Sequence, residues 1–470
     1  MDGLLQGNLS AMDKPKENDQ LLSVSKKNTC LRCMSLLAGG FAHSMLASNL
    51  IFYVYINDIK AMYHYNQKEV EVFASMLNAG IGLGFVPNLL GRKLRSTWIL
   101  VFGLVLSTAG LLLLWSSSKL ISFYEDKSWL MAIYFLISGL GGSVAYIMAL
   151  RFNATHFADD KRGRVIALMF VFIDLGMICF TLIYYRAFDT SNRFQSLMIV
   201  LVSFNAAVYV FCMIFLRSPN STVTEMTVEK CELQRPDFNY LPIDKDSDVH
   251  EQSFRELLVT LDYHLLAWFC SSTFAVSLLL SNNMTTLTRE ENLSSFDTMI
   301  TLLYPSLVIT TALTFSLISD KTKHCFSRTM FLVMGGICLS FSSILNAFLS
   351  SNEAVVVTAV VFGALGTGII YTIGPTTMSE LFHIENFMRN WGLVMLMRAI
   401  FIIILHLIFG AMYDLESGAG VIFCKGLHCT RNGYVLTFGV AIVAVGLSIG
   451  LIIRRNIKAR EFIRCLGKRD

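Results

Sequence analysis

Apolar runs of about twenty residues recur along the whole chain, separated by short polar breaks. A helix crossing a bilayer needs about 20 predominantly apolar residues at 1.5 Å rise each. Twelve runs meet that length and predict twelve spans, at roughly 33–56, 72–90, 97–115, 129–150, 164–185, 195–216, 264–284, 298–318, 329–349, 354–378, 391–412 and 434–453. The first run follows some thirty mostly polar residues and lacks a short apolar core with a small-residue cleavage site. It therefore reads as a retained span rather than a removable signal.

Composition agrees with lipid as the solvent. The 470 residues are 54% hydrophobic and only 15% charged, with mean hydropathy +0.56, whereas soluble chains carry about 25% charged residues. The 35 Phe and 31 Gly suit helices that pack closely in a bilayer. A net charge of +4, spread between apolar runs, excludes a nucleic-acid partner. Lys and Arg favour alternate breaks by roughly threefold, which predicts cytoplasmic termini by the positive-inside rule.

The longest internal break, 217–263, is polar and acidic and parts the chain into two sets of six spans. The expected organisation is a tail (1–32), a first six-helix bundle (33–216), a cytoplasmic loop (217–263), a second bundle (264–453) and a tail (454–470). An internal repeat supports the division. "GLGGSVAYIMALRFNATHF" (139–157) aligns with "GALGTGIIYTIGPTTMSELF" (363–382) at an offset of 224 to 225, matching Gly139 to Gly363, Gly142 to Gly366, Tyr146 to Tyr371 and Phe157 to Phe382. Both copies fall on the fourth span of their half, as parallel repeats require.

Between spans two and three stands "GFVPNLLGRK", carrying Gly84, Asn88, Gly91, Arg92 and Lys93; the matching loop of the second half, "SLISDKTK", carries Asp320 and Lys321. The first resembles the major facilitator superfamily pattern G-x-x-x-D-x-x-G-R-K, with Asn88 where a carboxylate is usual. Further stretches resemble the nodulin-like transporters of that superfamily: "YINDIKAMYHYNQKEV" (55–70), "FADDKRGRVIAL" (157–168), "SELFHIENFMRNWG" (379–392), "GAMYDLESG" and "CKGLHC". The chain departs from that pattern at Asn88, His383, Asp174 and Arg398. The resemblance implies an all-α integral membrane protein of two six-helix bundles, the major facilitator fold, and solute transport without naming the solute.

Two charges fall inside predicted spans. Asp174 lies ten residues beyond Arg164, about 15 Å into the bilayer. An ionisable group there costs about 2.5–3.5 kcal/mol on insertion scales, so it must face a partner, a solute or a hydrated cavity. A carboxyl that takes up and releases a proton there would couple transport to a proton gradient. Arg398 stands 224 positions further on, the repeat offset, and predicts a second charged cavity wall. It would clamp an anionic group, snorkel to the cytoplasmic interface or brace the signature loop near Asn88. His43 and His406 read either as proton or metal groups or as packing residues. Asn49, Tyr146 and Tyr371, with Ser143, Ser271 and Thr367, read either as cavity lining or as interhelical hydrogen-bonding groups. Pro375 predicts a kink in span ten.

Of 11 Cys, only Cys424 and Cys429 fall in loops assigned to the outside, which predicts a disulfide there, with a metal site including His428 as the rival. Asn292 opens an outside sequon, and Asn283 a poorer one close to the membrane. "ENDQLL" (17–22) has the form of an acidic dileucine signal for endosomal or vacuolar membranes, which leaves these and the plasma membrane as alternatives. Phosphate-binding loops, nucleophile elbows and zinc-protease motifs are missing, so neither an enzyme nor an ATP-driven pump is expected, and no cofactor. The expected function is transport of a small polar or anionic solute by a monomeric secondary or facilitative carrier. A metal or iron transporter using His43, His406 and Asp174 is the alternative, and a non-transporting sensor is disfavoured by tails of about 30 and 17 residues.

Overall fold

The computed structural model describes residues 14–84, 86–87, 95–156, 159–189, 192–216, 254–291, 293–322, 326–349, 352–382, 386–418 and 421–466. Secondary structure among the described residues is entirely helical. Eleven stretches are long and apolar enough to cross a membrane, and the helix Gln67–Leu83 supplies a twelfth run of 17 residues. We label the main helices α1 (Lys14–Leu50), α2 (Phe52–Tyr63), α3 (Gln67–Leu83), α4 (Ser96–Ser117), α5 (Ser128–His156), α6 (Asp159–Arg186) and α7 (Arg193–Phe215). The second set is α8 (Leu261–Asn282), α9 (Met284–Glu290), α10 (Asp297–Thr322), α11 (Arg328–Phe348), α12 (Glu353–Leu381), α13 (Phe387–Ser417) and α14 (His428–Leu466). Of the expected central loop 217–263, residues 217–253 lie outside the described residues, and Phe254–Val259 form a short helix.

Two of the differences from the predicted bounds bear on the site. The first span is one membrane stretch, Leu31–Tyr63, interrupted at Ile51 between α1 and α2. The second span begins at Gln67, five residues ahead of the predicted start. There Asn66 and Glu69 form a capping box in which each side chain accepts from the other residue's backbone N–H. The Asp414 carboxylate, from α13, then accepts from the Gln67 and Lys68 amides, each at 3.0 Å. A negative group is thus set against free N–H groups at a helix start. Asp414 therefore ties the first half to the second.

Within the first half α4 packs on α5 and α7, α3 on α5, and α1 on α5, α6 and α7. Within the second, α11 packs on α12 and α14, α10 on α12, and α8 on α13 and α14. Glycine permits the closest of these approaches. A Cβ at Gly139 on α5 would strike the backbone of Leu77 on α3, and one at Gly366 on α12 would lie 2.8 Å from the Gly335 carbonyl on α11. The halves meet mainly along two seams, α3 against α13 and α6 against α10. These are spans two with eleven and five with eight, which the six-span repeat exchanges.

Candidate functional site

Between the seams lies a narrow cavity walled from both halves. Its lining includes Tyr53 from α2, Asp174 from α6, Ser281 from α8, Tyr304 from α10 and Tyr371 from α12. The space among them admits water and nothing larger. Asp174 sits off the row Leu168, Leu175 and Leu182, each about 40% exposed, that marks the lipid side of α6. It is itself only 4% exposed. Among the described residues its carboxyl has no hydrogen-bond or ion-pair partner, while Tyr53, Tyr304 and Tyr371 lie within its electrostatic reach.

The opposite wall is anchored by its own hydroxyls. Thr367 Oγ1 lies 2.8 Å from Tyr304 Oη and 2.6 Å from Ser277 Oγ. These bonds hold the tyrosine ring across the cavity. The helix α12 runs unbroken through Pro375, so the predicted kink is not a break in the helix. The missing N–H of Pro375 leaves the Tyr371 carbonyl without its intrahelical donor.

Arg398 reaches into the same region from α13 and is 8% exposed. Its Nη2 donates to Asn78 Oδ1 on α3 at 3.0 Å, its Nη1 lies 3.7 Å from Met395 Sδ, and its guanidinium stacks 5.5 Å from the Phe274 ring centroid. Tyr146 and Tyr371 lie within its electrostatic reach. Arg398 therefore points into protein rather than to the interface. It does not form an ion pair with Asp174, and Tyr371 stands in the field of both.

The other anticipated residues divide. His43 bonds through Nδ1 to the Gly39 carbonyl at 2.7 Å and packs against Tyr146, ring centroids 4.7 Å apart. Asn49 accepts from Ser138 Oγ at 3.0 Å beside Gly142, in the α1–α5 packing rather than the cavity wall. His406 lies elsewhere: its Nδ1 is 2.6 Å from Glu71 Oε2, both side chains being shut off from solvent. Glu71 Oε1 accepts from Gln67 Nε2, which also donates to Asn283 Oδ1, and Gln67 Oε1 accepts from Lys60 Nζ at 2.8 Å. This network closes the end of the bundle where α3 begins. Sequence reasoning missed Glu71 and Gln67 because the predicted second span started at residue 72, and Lys60 because the predicted first span ended at residue 56, whereas the stretch runs to Tyr63. The Asn66–Glu69 capping pair was the signal that would have moved the second span's start.

His43, His406 and Asp174 are thus not gathered into one metal site. Among the described residues the candidate metal group is Cys424, His428 and Cys429. The two sulfurs there are joined as a disulfide, with His428 Nε2 3.8 and 3.7 Å away. Asp320 accepts from Arg328, 2.8 Å away, and Arg328 also pairs with Glu380 at 2.9 Å, which links α10, α11 and α12. Lys321 is exposed, and Gly84 caps α3. Asn88, Gly91, Arg92, Lys93, His383 and Asn292 lie outside the described residues. Asn283 is buried.

The fold is shared with solved transporters. The nucleoside transporter NupG superposes with TM-score 0.60 at 9% identity over 90% of this chain and 99% of its own. A D-xylose–proton symporter gives 0.63 at 12% identity over 88% and 96%. The proton:xylose symporter XylE bound to 6-bromo-6-deoxy-D-glucose gives 0.59 at 14% identity over 89% and 95%. No curated protein matches the sequence. The Major Facilitator Superfamily model matches residues 36–406, most of the chain. With eleven spanning stretches and a twelfth helical run among the described residues, two exchanged seams and a cavity between them, the chain belongs to the major facilitator superfamily.

Proposed function

We propose that the chain carries a small polar or charged solute across a membrane by alternating access, with the solute held in the cavity between the two halves. The observation that carries this reading is Asp174: a carboxyl removed from bulk water, without a partner among the described residues, facing a space walled by both halves. Such a group is costly in a bilayer unless it meets a solute, a proton or water. The similar solved folds include carriers of a nucleoside and of a pentose with a proton, which supports polar cargo and a proton as driving ion. The loop motifs support a place among nodulin-like transporters, and the distribution of Lys and Arg supports cytoplasmic termini, so that the Gln67 end faces outward.

The test is reconstitution in liposomes, exposure to a metabolite mixture and mass spectrometry of what accumulates. Asp174→Asn is expected to lose uptake while membrane abundance is unchanged. Retained uptake in that variant removes Asp174 from the site, and accumulation of nothing by the parent protein overturns the transport reading. Wild-type uptake that ignores a gradient imposed between about pH 5 and pH 8 removes proton coupling.

A further inference from the structure

We infer that the solute is a zwitterion of the amino-acid type, its cationic group meeting Asp174 and its anionic group meeting Arg398. This rests on the solute-transport reading above and names the substrate class of the same cavity.

The argument is one of uncompensated charge. Asp174 and Arg398 are both more than nine-tenths buried. Among the described residues Asp174 has no polar partner, and Arg398 bonds only the neutral Asn78 amide oxygen and the Met395 sulfur. Burying an ion without a counter-charge is expensive, and attraction repays it only when an opposite charge completes the geometry. The other buried charged or imidazole groups do not serve: His406 bonds Glu71, which Gln67 links to Lys60, at the end of the bundle, and His43 is bonded to the Gly39 carbonyl. The middle of the protein therefore holds one acidic and one basic group that do not meet.

Their placement says what completes them. Tyr371 lines the cavity and lies within electrostatic reach of both groups. Asp174 comes from the first half and Arg398 from the second, at positions separated by the repeat offset. A solute with charges at its two ends engages both halves at once. An amine leaves Arg398 unmatched, a carboxylate leaves Asp174 unmatched, and an uncharged sugar leaves both. Tyr53 and Tyr304 add aromatic wall for an apolar side chain, and Phe274 packs against Tyr371, ring centroids 4.8 Å apart. The closed cavity admits only water, so the solute enters when the halves part.

The experiment uses the full chain in proteoliposomes. Leucine, 4-aminobutyrate and glycyl-leucine are supplied as zwitterions of increasing charge separation, each beside its methyl ester and its N-acetyl derivative, with xylose and uridine as uncharged probes. Saturable uptake of at least one zwitterion is expected, with the matching ester and N-acetyl derivative each competing about 10- to 100-fold more weakly. Read as competition for binding to the purified variants, which needs no uptake, Asp174→Asn should erase the discrimination against the N-acetyl derivative alone, and Arg398→Gln that against the ester alone. Should a variant fail to fold, the derivative series in the parent protein still decides. Derivatives that compete as well as their parents, or uptake of xylose or uridine that no zwitterion inhibits, overturn the zwitterion and leave a transporter. No uptake of these probes or of any component of the metabolite mixture overturns the transport reading and the zwitterion with it.

Discussion

Glu71 on α3 and His406 on α13 meet at 2.6 Å across the seam between the two halves, with neither side chain open to solvent. The groups facing the pair are Gln67 and, through it, Lys60 from α2 and Asn283 after α8, with Lys68 and Asp414 one turn outward. A cavity opening at this end has to draw α3 away from α13. The pair and its relay must then come apart, so they act as a latch.

Weakening the latch should bias the transporter toward opening at that end. Glu71→Gln keeps the shape and removes the charge from the bond. Hydrogen bonds to charged groups contribute about 1.5–3 kcal/mol, so the open population should rise about tenfold or more. The check is the rate at which an impermeant maleimide labels Ser281→Cys, a cavity position two residues from Asn283. An unchanged rate would sink the latch.

Asp414 contributes to the same seam differently. Its carboxylate takes two backbone N–H groups at the start of α3, a capping role that contributes about 1 kcal/mol, rising when partly buried. Asp414→Ala is expected to lower the thermal unfolding midpoint and to add to Glu71→Gln less than independently, because both act on one seam. A double-mutant cycle in detergent measures this. Strict additivity would separate the two contacts.

Much of the architecture is readable from apolar run length because lipid leaves backbone groups only intrahelical partners. The two central charges are readable for the same reason: Asp174 and Arg398 interrupt runs that otherwise contain no ion. The latch is not. A start at residue 72 leaves Glu71 just outside the membrane, where a carboxylate needs no explanation, and only the capping contacts of Asn66 and Asp414 bring it inside. Asn49 is open to two readings, cavity lining or an interhelical bond. Its polarity suits both, and it serves the α1–α5 contact through Ser138, a choice set by helix rotation that polarity alone does not reveal.

Close helix approach supplies a paired prediction. Gly139 has the Leu77 backbone against the place of its Cβ, whereas Gly446 on α14 has open space there. Gly139→Ala should therefore push α5 from α3 and cost about 1–3 kcal/mol. Gly446→Ala should gain a few tenths to about 1 kcal/mol from helix propensity. Thermal unfolding of the two variants in parallel tests the pair, and equal midpoints would mean that the α3–α5 contact yields easily.

The disulfide at Cys424 and Cys429 holds a short loop over the latch. The Cys424 amide donates to Tyr413 Oη at 3.1 Å, and Lys60 Nζ lies 4.7 Å from the Tyr413 ring centroid and 5.1 Å from that of Phe423. Arg289 covers Phe423 as well, at 5.4 Å. The loop thus supplies the aromatic faces that shelter the cation bonded to Gln67. Closing so small a loop contributes about 2 kcal/mol by chain entropy. Replacing both cysteines by serine should lower the unfolding midpoint and speed labelling of Ser281→Cys in the same direction as Glu71→Gln. Zinc added to the oxidised protein should leave the midpoint where it was, because each sulfur is committed to the other. A zinc-induced rise in the oxidised protein would instead favour a metal centre at His428.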